Sequence, residues 1–433
     1  MITRLEADGY RLLDGFAADL KPLTVVIGAN AVGKSTLLDC LQLIAQCVEL
    51  PVNTAIGWHW GPASLLTAGK RDGELAWRIT IQKPAAAFWS QVPLEAGRPL
   101  VYEVTLHADA QGQVRPEYEV LRKPQPAPGY TEAYKFLEAA PNRRVILDKT
   151  RHLVPFDEAQ PSSPVVRESN STDLVPSGGN GLARPAQQEA ALLLSQIRFF
   201  NEFPVPSAVR VLLANMAFYP GFDVTRFSAL RTKAAEIKPV PTLASTGENL
   251  GTVLHDLLTR YDFKAVADEL RDYLRVAYPA FEEIHCDTTF GTPPQVLVRV
   301  RERGMPRSME LWELSDGMLR FLCLATALLN PAAPPLIAVD EPELGLHPRL
   351  LPIVGDLIKS AAERTQVLVT THSPDLLNRF DIGNIAVMAR ASDGPRAVWH
   401  RPADRESLVR MLMAVSGETL GDLHRSGELE AGA

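Results

Sequence analysis

The chain has 433 residues, of which 46% are hydrophobic, so it can bury the cores of two or three ordinary domains and is not disordered as a whole. Lysine and arginine number 44 against 51 acidic residues, and the formal charge of -7 excludes a surface that is basic on average but leaves room for a local basic patch. No uninterrupted apolar run of about 18 residues occurs, so we expect a cytoplasmic protein without a membrane span. Cys40 and Cys323 lie in apolar helical patterns, which favours reduced core thiols over zinc ligands or disulfides.

The first clear pattern is a short apolar run followed by a glycine-rich loop and then by apolar residues at helical spacing. The run is Leu23–Ile27, and the helical positions are Leu37, Leu41, Ile44 and Val48. This order predicts a strand, a loop and a helix.

The loop between them, with the sequence GANAVGKS, fits the pattern G-x-x-x-x-G-K-[ST] in the strand–loop–helix context that a phosphate cradle requires. Its glycines allow backbone N–H groups to surround phosphates, and the helix directs its positive end at them. Lys34 would supply charge to the outer phosphates, and the Ser35 hydroxyl would ligate Mg²⁺. The motif alone does not separate an ATPase from a GTPase or a kinase, and a chance glycine-rich turn is the alternative. The candidate nucleotide-binding residues are Gly28, Asn30, Gly33, Lys34, Ser35 and Thr36.

The middle of the chain changes character. Residues 75–120 carry period-two segments, for instance at Tyr102 and Val104, and predict an antiparallel β lobe. Residues 155–188 are rich in Pro, Ser, Gly and Asn and predict a long loop, whereas residues 189–280 are mostly helical in pattern.

The next features are a strand and an apolar helix. Val296, Val298 and Val300 alternate and predict a strand that leads back into the first sheet. The segment LSDGMLR then opens a strongly apolar helical pattern, with Ser315 at the N-cap position. Capping alone would explain the serine, but Ser315 and Gly317 at a helix N-terminus also form an anion site.

Two later apolar strands each end in polar residues. The strand LIAV delivers Asp340 and Glu341, and QVLVTT is followed by His372. Ligands bind at the carboxyl ends of parallel strands, so we expect all three at one edge of the sheet. Asp340 would hold Mg²⁺ through water, Glu341 would polarise an attacking water, and His372 would donate to the γ-phosphate or position that water. The alternatives are a solvated turn or helix cap for the acids and an incidental loop position for the histidine.

In this order, the four elements resemble the ABC ATPases, with Ser315 in the signature loop and His372 as the switch histidine. More closely, GANAVGKST, LSDGMLR, VDEPELGLHP and TTHSPDLL resemble the standalone ATPases grouped with the SMC, RecF and OLD proteins, and SQIRFF, GENLGTVLHDLL and GETLGDLHRSGELEAG are similar to a bacterial branch often called AAA-family ATPases. The resemblance covers roughly residues 1–110 and 290–390. It implies an α/β P-loop NTPase fold of the ABC type, with a mixed, mainly parallel sheet, an antiparallel β lobe and a largely helical insertion.

The expected domain order follows from these patterns. Residues 1–125 would form the N-terminal part of the ATPase head, with the phosphate loop and the β lobe. Residues 126–285 would form an inserted lateral domain of a loop and helices, residues 286–400 the C-terminal part of the head, and residues 401–433 a tail.

The resemblance also implies a homodimer without membrane attachment. ATP with Mg²⁺ would lie between the phosphate loop of one subunit and Ser315 and Gly317 of the other, with Gly345 and Leu346 in a loop along the interface. The residues implied for catalysis are Lys34, Glu341 and His372, and those implied for the metal are Ser35 and Asp340.

Three positions need separate mention. Asp316 stands where transporters usually carry glycine, and it adds negative charge near phosphate unless its carboxylate points away. Gln82 is a candidate for the Q-loop glutamine, with a surface position in a β segment as the alternative. Arg11 stands where related proteins have an arginine or lysine near the nucleotide, and a solvated strand end is the other interpretation.

Three functions fit these features. The stretch between Lys34 and Ser315 is longer than a transporter subunit needs. It carries no sustained heptads, which argues against the long coiled coil of SMC proteins. The stretch after His372 is short, so we expect no intrinsic nuclease. The first hypothesis is a dimeric ATPase whose closure controls a protein effector, such as a nuclease, in DNA maintenance or antiphage defence. The second is a RecF-like clamp that binds DNA directly, and the third is a scaffold that hydrolyses ATP very slowly. The basic residues that favour the second are Arg143, Arg144, Lys149 and Arg151.

Overall fold

The structure of the protein is a computed structural model in which helices connect three β sheets. It describes residues 1–67, 73–83, 94, 98–141, 143–147, 153–156, 190–197, 201–232, 235–237, 242–289, 294–408 and 419–430. The long loop predicted over residues 155–188 lies outside the described residues, except for its first two positions.

The strands in chain order are β1 Ile2–Asp8, β2 Phe16–Asp19, β3 Leu23–Ile27, β4 Gly73–Ile81, β5 Leu100–Ala108, β6 Val114–Pro126, β7 Ala133–Ala140, β8 Arg143–Leu147, β9 Leu153–Pro155, β10 Ala217–Tyr219, β11 Ala235–Glu236, β12 Phe281–Thr289, β13 Gln295–Glu302, β14 Met309–Glu310, β15 Leu336–Asp340, β16 Gln366–Thr370, β17 Ile385–Arg390 and β18 Ala397–His400. The α-helices are α1 Lys34–Cys47, α2 Val52–Trp58, α3 Pro62–Leu65, α4 Leu193–Gln196, α5 Pro204–Ala214, α6 Ala229–Thr232, α7 Leu250–Thr259, α8 Lys264–Ala277, α9 Asp316–Leu329, α10 Leu351–Ala362, α11 Pro374–Leu377 and α12 Leu420–Arg425. Among the described residues, no helix combines the length and apolarity needed to traverse a bilayer.

The central sheet carries the candidate site. Its described strands follow the order β10-β15-β16-β3-β17-β18, and every neighbouring pair is parallel except β17 with β18. All residues of β3 and β16 are buried, as expected for parallel strands covered on both faces. The predicted mixed and mainly parallel sheet is therefore confirmed.

Alternating side chains of the central strands enter two different cores, because successive residues of a strand point to opposite faces. Val26 and Leu368 belong to the core shared with α1 and the β lobe. Val25 and Val369 belong to the core formed with α9 and α10. Burial on both faces fixes α1 on one side of the sheet and α9 on the other.

The predicted antiparallel β lobe is a sheet whose described strands run in the order β2-β1-β4-β5-β6-β7-β8-β9. It continues past residue 126, where we placed the start of the insertion, since β7, β8 and β9 extend it antiparallel. These strands carry a weak sequence signal because few of their side chains are fully buried, Leu137 and Ile146 among them.

A third sheet contains the strand predicted from the alternating valines. This strand, β13, pairs with β11, β12 and β14, and α7 and α8 pack beside them. The prediction that it leads back into the first sheet is wrong. The alternation of Val296, Val298 and Val300 shows that one face of the strand is buried, but it does not show which element covers that face. Here α7, α8 and α9 cover it instead of the central sheet.

Candidate functional site

The loop between β3 and α1 has the backbone that the glycine pattern predicts. Gly28 and Gly33 have φ values of 149° and 110°, and Ala31 has a φ of 61°. A Cβ on Gly28 would lie 2.1 Å from the carbonyl oxygen of Met388, so no other residue fits there. Helix α1 then begins at Lys34, with its N-terminus at the loop.

The Lys34 ammonium lies within this loop. Its Nζ donates to the carbonyl oxygens of Gly28 at 3.0 Å and Ala29 at 2.9 Å. Burial lowers the pKa of Lys34, and the nearby carboxylates of Glu341 and Asp340 act in the opposite direction. Phosphate oxygens would accept from the same donors and would add counter-charge beside this buried ammonium.

Ser35 and Asp340, the two predicted metal ligands, are brought together. The Ser35 hydroxyl donates to Oδ2 of Asp340 at 2.8 Å, and Thr370 donates to the other carboxylate oxygen. Hydroxyl and carboxylate oxygens are hard donors of the kind that Mg²⁺ prefers, so this pair fits the metal. Thr36 is half-buried in the first turn of α1, and Asn30 is exposed in the loop.

Glu341 and His372 meet at the same edge of the sheet. His372 Nε2 lies 3.7 Å from Glu341 Oε1, and the two side chains are 32% and 31% exposed. Glu341 has a φ of 46°, a conformation that side-chain-bearing residues rarely adopt and that clusters at functional sites. Its N–H donates to the Thr370 carbonyl, which holds the strained residue at the end of β15. Burial and the Lys34 charge lower the pKa of His372, which favours a neutral imidazole at pH 7.

Sequence reasoning missed Glu343, which fixes the backbone beside the switch histidine. Its Oε1 accepts from the Thr371 hydroxyl at 2.6 Å and from the His372 N–H at 2.9 Å. Its Oε2 is buried and has no hydrogen-bond partner within the described protein. The available signal was a third carboxylate, two residues after the acidic pair.

Ser315 caps α9 and is exposed. Its Oγ accepts from the Met318 N–H at 3.3 Å, so the capping role is present. A Cβ on Gly317 would lie 3.3 Å from the Gly345 carbonyl oxygen, which places the signature loop beside the loop after the acidic pair. In the part of the chain described, neither Ser315 nor Gly317 is among the residues that line the cleft above Gly28, Ala29 and Asn30.

The carboxylate of Asp316, the unusual residue in the signature loop, is paired with Arg231. Arg231 Nη2 donates to Asp316 Oδ1 at 2.6 Å. The Arg231 side chain is only 8% exposed and also donates to the carbonyl oxygens of Val224, Trp312 and Leu314. The negative charge that Asp316 brings near phosphate is therefore opposed by a fixed guanidinium.

Removing this guanidinium should destabilise the head. We expect Arg231→Ala to lower the free energy of unfolding by about 2–4 kcal/mol, because it removes the largely buried charged donor shared by three backbone carbonyl oxygens and the Asp316 carboxylate. Urea unfolding followed by tryptophan fluorescence measures this loss. Arg226→Ala, in the loop before α6 and exposed, is the control. A loss no larger than that of the control would contradict this role for Arg231.

Arg11 lies beside the phosphate-loop helix. Its Nη1 pairs with Asp39 Oδ2 at 2.6 Å, and its Nε donates to the Ser64 carbonyl oxygen at 3.1 Å. Asp39 is one turn after Ser35 in α1, so Arg11 is part of the packing around this helix and not a free strand end.

Gln82 lies near the amino end of β16, opposite to the end that carries the candidate site, so it cannot be the Q-loop residue. Its N–H donates to the Met1 carbonyl oxygen at the end of β4. Ile2, the residue after Met1, donates its N–H to the side chain of Gln366 at the start of β16. The candidate site lies at the other end of that strand. The Gln82 candidate is therefore wrong. Its period-two segment placed it on a β strand but could not show which end of the sheet that strand would reach.

Comparison with known proteins agrees with this geometry. A family model described as "AAA domain, putative AbiEii toxin, Type IV TA system" matches residues 23–125 and 209–378, which is more than half of the chain. The DNA repair protein RecN of Rickettsia bellii (strain RML369-C) is 30% identical over 95 residues, which are 22% of this chain and 15% of RecN. The similarity therefore spans only a small part of that relative.

Two solved structures share the fold at low sequence identity. An Smc head bound to the C-winged helix domain of ScpA has a TM-score of 0.52 and 12% identity, covering 92% of this chain and 97% of the other. An Smc head with an extended coiled coil, bound to the C-terminal domain of ScpA derived from Pyrococcus furiosus, has a TM-score of 0.51 and 12% identity, with coverages of 95% and 99%. The chain belongs to the AAA-domain family named above, and it has the fold of an SMC head, which is that of an ABC-type P-loop ATPase.

Proposed function

We propose that the protein binds ATP with Mg²⁺, hydrolyses its terminal phosphoanhydride bond, and closes as a dimer around the nucleotide. The observation that carries this proposal is the convergence of Ser35, Asp340, Glu341 and His372 at one edge of the central sheet. The direct test is steady-state phosphate release by the purified chain, together with its mass in solution with and without ATP.

Binding would use the phosphate loop and the helix after it. Backbone N–H groups of the loop and the N-terminus of α1 would surround the phosphates, and Lys34 would move its donors from loop carbonyls to phosphate oxygens. Ser35 and Asp340 would hold Mg²⁺, which neutralises charge on the outer phosphates when bound.

Hydrolysis would use Glu341 and His372, whose side chains lie 3.7 Å apart. Glu341 would orient a water molecule and accept its proton as the water oxygen attacks the γ-phosphorus and ADP leaves. A His372 imidazole would donate a hydrogen bond to the transferred phosphoryl group. Glu343, which accepts from the His372 N–H, would keep that loop in place.

Dimer closure would supply the missing signature residues. Ser315 and Gly317 lie at the exposed N-terminus of α9, a helix of 14 residues, and such an end attracts anions. Leu344 precedes Gly345, whose carbonyl oxygen lies beside Gly317, and it is 53% exposed, as expected for a residue that a second copy would cover. ATP held between two copies stabilises the closed dimer, and its hydrolysis releases it.

Closure would then control a protein effector, such as a nuclease, in DNA maintenance or antiphage defence. The similarity to a protein named for DNA repair, and to Smc heads solved in complex with parts of ScpA, supports a head that acts on a partner. Co-purification from the native host, with and without ATP, identifies that partner. A partner retained only with ATP supports control by closure.

A RecF-like clamp that binds DNA directly is the second candidate, favoured by the basic residues of β8. Arg143 lies 3.5 Å from Glu138, and Arg144 donates to Gln196 at 2.8 Å, so both are partly engaged. Lys149 and Arg151 of the same cluster lie outside the described residues.

The clamp makes a salt-dependent prediction. If ATP-bound dimers grip duplex DNA through β8, then changing Arg143 and Arg144 together to alanine should reduce the slope of log affinity against log salt by about two. Fluorescence anisotropy of labelled duplex between 50 and 200 mM salt measures this slope. An ATP-bound protein without salt-sensitive affinity for duplex would exclude the clamp and leave the effector hypothesis.

A further inference from the structure

The C-terminal segment, Thr419–Glu430, packs against the loop that carries the switch histidine. Its helix α12 contacts α11, which begins two residues after His372. The Gly421 N–H donates to Asn378 Oδ1 at 2.6 Å, and a Cβ on Gly421 would lie 2.6 Å from the Pro374 carbonyl oxygen. The apolar residues that anchor the segment in the core are Leu420, Leu423 and Leu429.

Polar contacts hold the end of this segment in place. Arg405 donates to the carbonyl oxygens of Glu428 at 2.9 Å and Leu429 at 2.7 Å. His424 Nδ1 lies 2.5 Å from Glu430 Oε1, so this contact joins helix α12 to the last described residue of the segment. These contacts make Thr419–Glu430 a fixed part of the head and not a loose tail.

The C-terminal segment forms one wall of a cleft of about 400 Å³ above the phosphate loop. Gly28, Ala29 and Asn30 form the floor, His372 lines another side, and Arg425 belongs to the wall. Lys34 donates to the carbonyls of Gly28 and Ala29, so this half of the loop is the half that faces the outer phosphates. The cleft therefore lies on the γ-phosphate side of the site.

We propose that Arg425 binds the γ-phosphate of ATP from within the same subunit. Its present partners are Asp422 at 2.9 Å and Asp375 at 3.3 Å, and all three side chains are at least half exposed. Exposed ion pairs contribute little stability, so the guanidinium can leave them for a phosphate that it contacts through two N–H groups. This inference rests on the proposed ATP site and adds a residue to it.

Arg425 would distinguish ATP from ADP, because only ATP carries the phosphate that it contacts. Asp375 lies in the helix that follows the switch histidine, so exchange of Arg425 from Asp375 to phosphate would couple the C-terminal segment to the state of that loop. The His424–Glu430 pair lines the same cleft and would hold the wall while the exchange takes place.

Nucleotide affinities of the full chain test this assignment in a Glu341→Gln background, which prevents turnover. Arg425→Ala should weaken ATP binding by about tenfold, the loss of one charge-assisted contact, while ADP binding stays within about twofold. Arg425→Lys should fall between Arg425→Ala and the unaltered arginine. Arg275→Ala is a matched control, because Arg275 is 51% exposed and pairs with Asp272 three residues earlier in a helix.

The outcomes separate this inference from the proposed function. Equal ATP affinity for Arg425→Ala and Arg275→Ala, with ATP still bound, overturns the role of Arg425 and leaves the ATPase intact. Equal losses of ATP and ADP affinity, with a lowered melting temperature, assign Arg425 a structural role and also overturn the inference. If the unaltered chain binds neither nucleotide, the proposed ATP site itself is wrong.

Discussion

Glu341→Gln should lower ATP turnover by at least about 100-fold and trap two copies of the chain around ATP. The carboxamide keeps the shape of the side chain but cannot accept a proton from water. Lys34, Ser35 and Asp340, which would bind the nucleotide and the metal, are unchanged, so binding persists while hydrolysis stops. Phosphate release measures the turnover, and light scattering with saturating ATP and Mg²⁺ measures the mass.

Glu363→Gln provides the matched control for this experiment. Glu363 is exposed and follows α10, shortly before β16 begins, which places it at the opposite end of the sheet from Glu341. We expect it to behave like the unaltered protein. A Glu341→Gln protein that stays monomeric in saturating ATP and Mg²⁺ would refute the closure mechanism.

Lys34→Ala should weaken ATP binding by at least about 100-fold, since it removes a charged donor from the phosphates. Turnover should fall to the background rate. The fold should survive, because the hydrogen bonds of the ammonium within the described residues go to two carbonyl oxygens of the phosphate loop itself, those of Gly28 and Ala29. Titration with a fluorescent ATP analogue measures the affinity, and phosphate release measures the rate.

Lys21→Ala is the control for Lys34→Ala. The Lys21 ammonium also donates a hydrogen bond to a backbone carbonyl oxygen, that of Gly383. Lys21 precedes β3, so it lies at the end of the strand opposite to the phosphate loop. Its loss should leave ATP affinity unchanged. If the unaltered protein turns over ATP no faster than Lys34→Ala, the slow scaffold replaces the ATPase as the interpretation.

The grouping of the nucleotide residues could be predicted because each motif directly follows a buried strand. The carboxyl ends of neighbouring parallel strands share one edge, so LTVVI, LIAV and QVLVT were enough to place Lys34, Asp340 and His372 near one another. These inferences needed only local patterns and one topological rule.

The remaining features depend on pairings between distant parts of the chain. Nothing near Asp316 indicates that Arg231 neutralises it, because the two residues meet only after α6 packs beside the signature loop. The role of the C-terminal segment was hidden for the same reason, since Arg425 reaches the phosphate-loop cleft through tertiary packing. Half-exposed strands such as β7 have no strong period, so the extent of the β lobe was underestimated.

The position of β3 in its sheet has a consequence for biosynthesis. This five-residue, fully buried strand is translated long before both of its neighbours, β16 and β17. Closing so long a loop is entropically slow, and an apolar strand without neighbours promotes aggregation. We therefore expect the central sheet to fold only after β16 and β17 have been translated, with chaperones protecting the nascent chain until then.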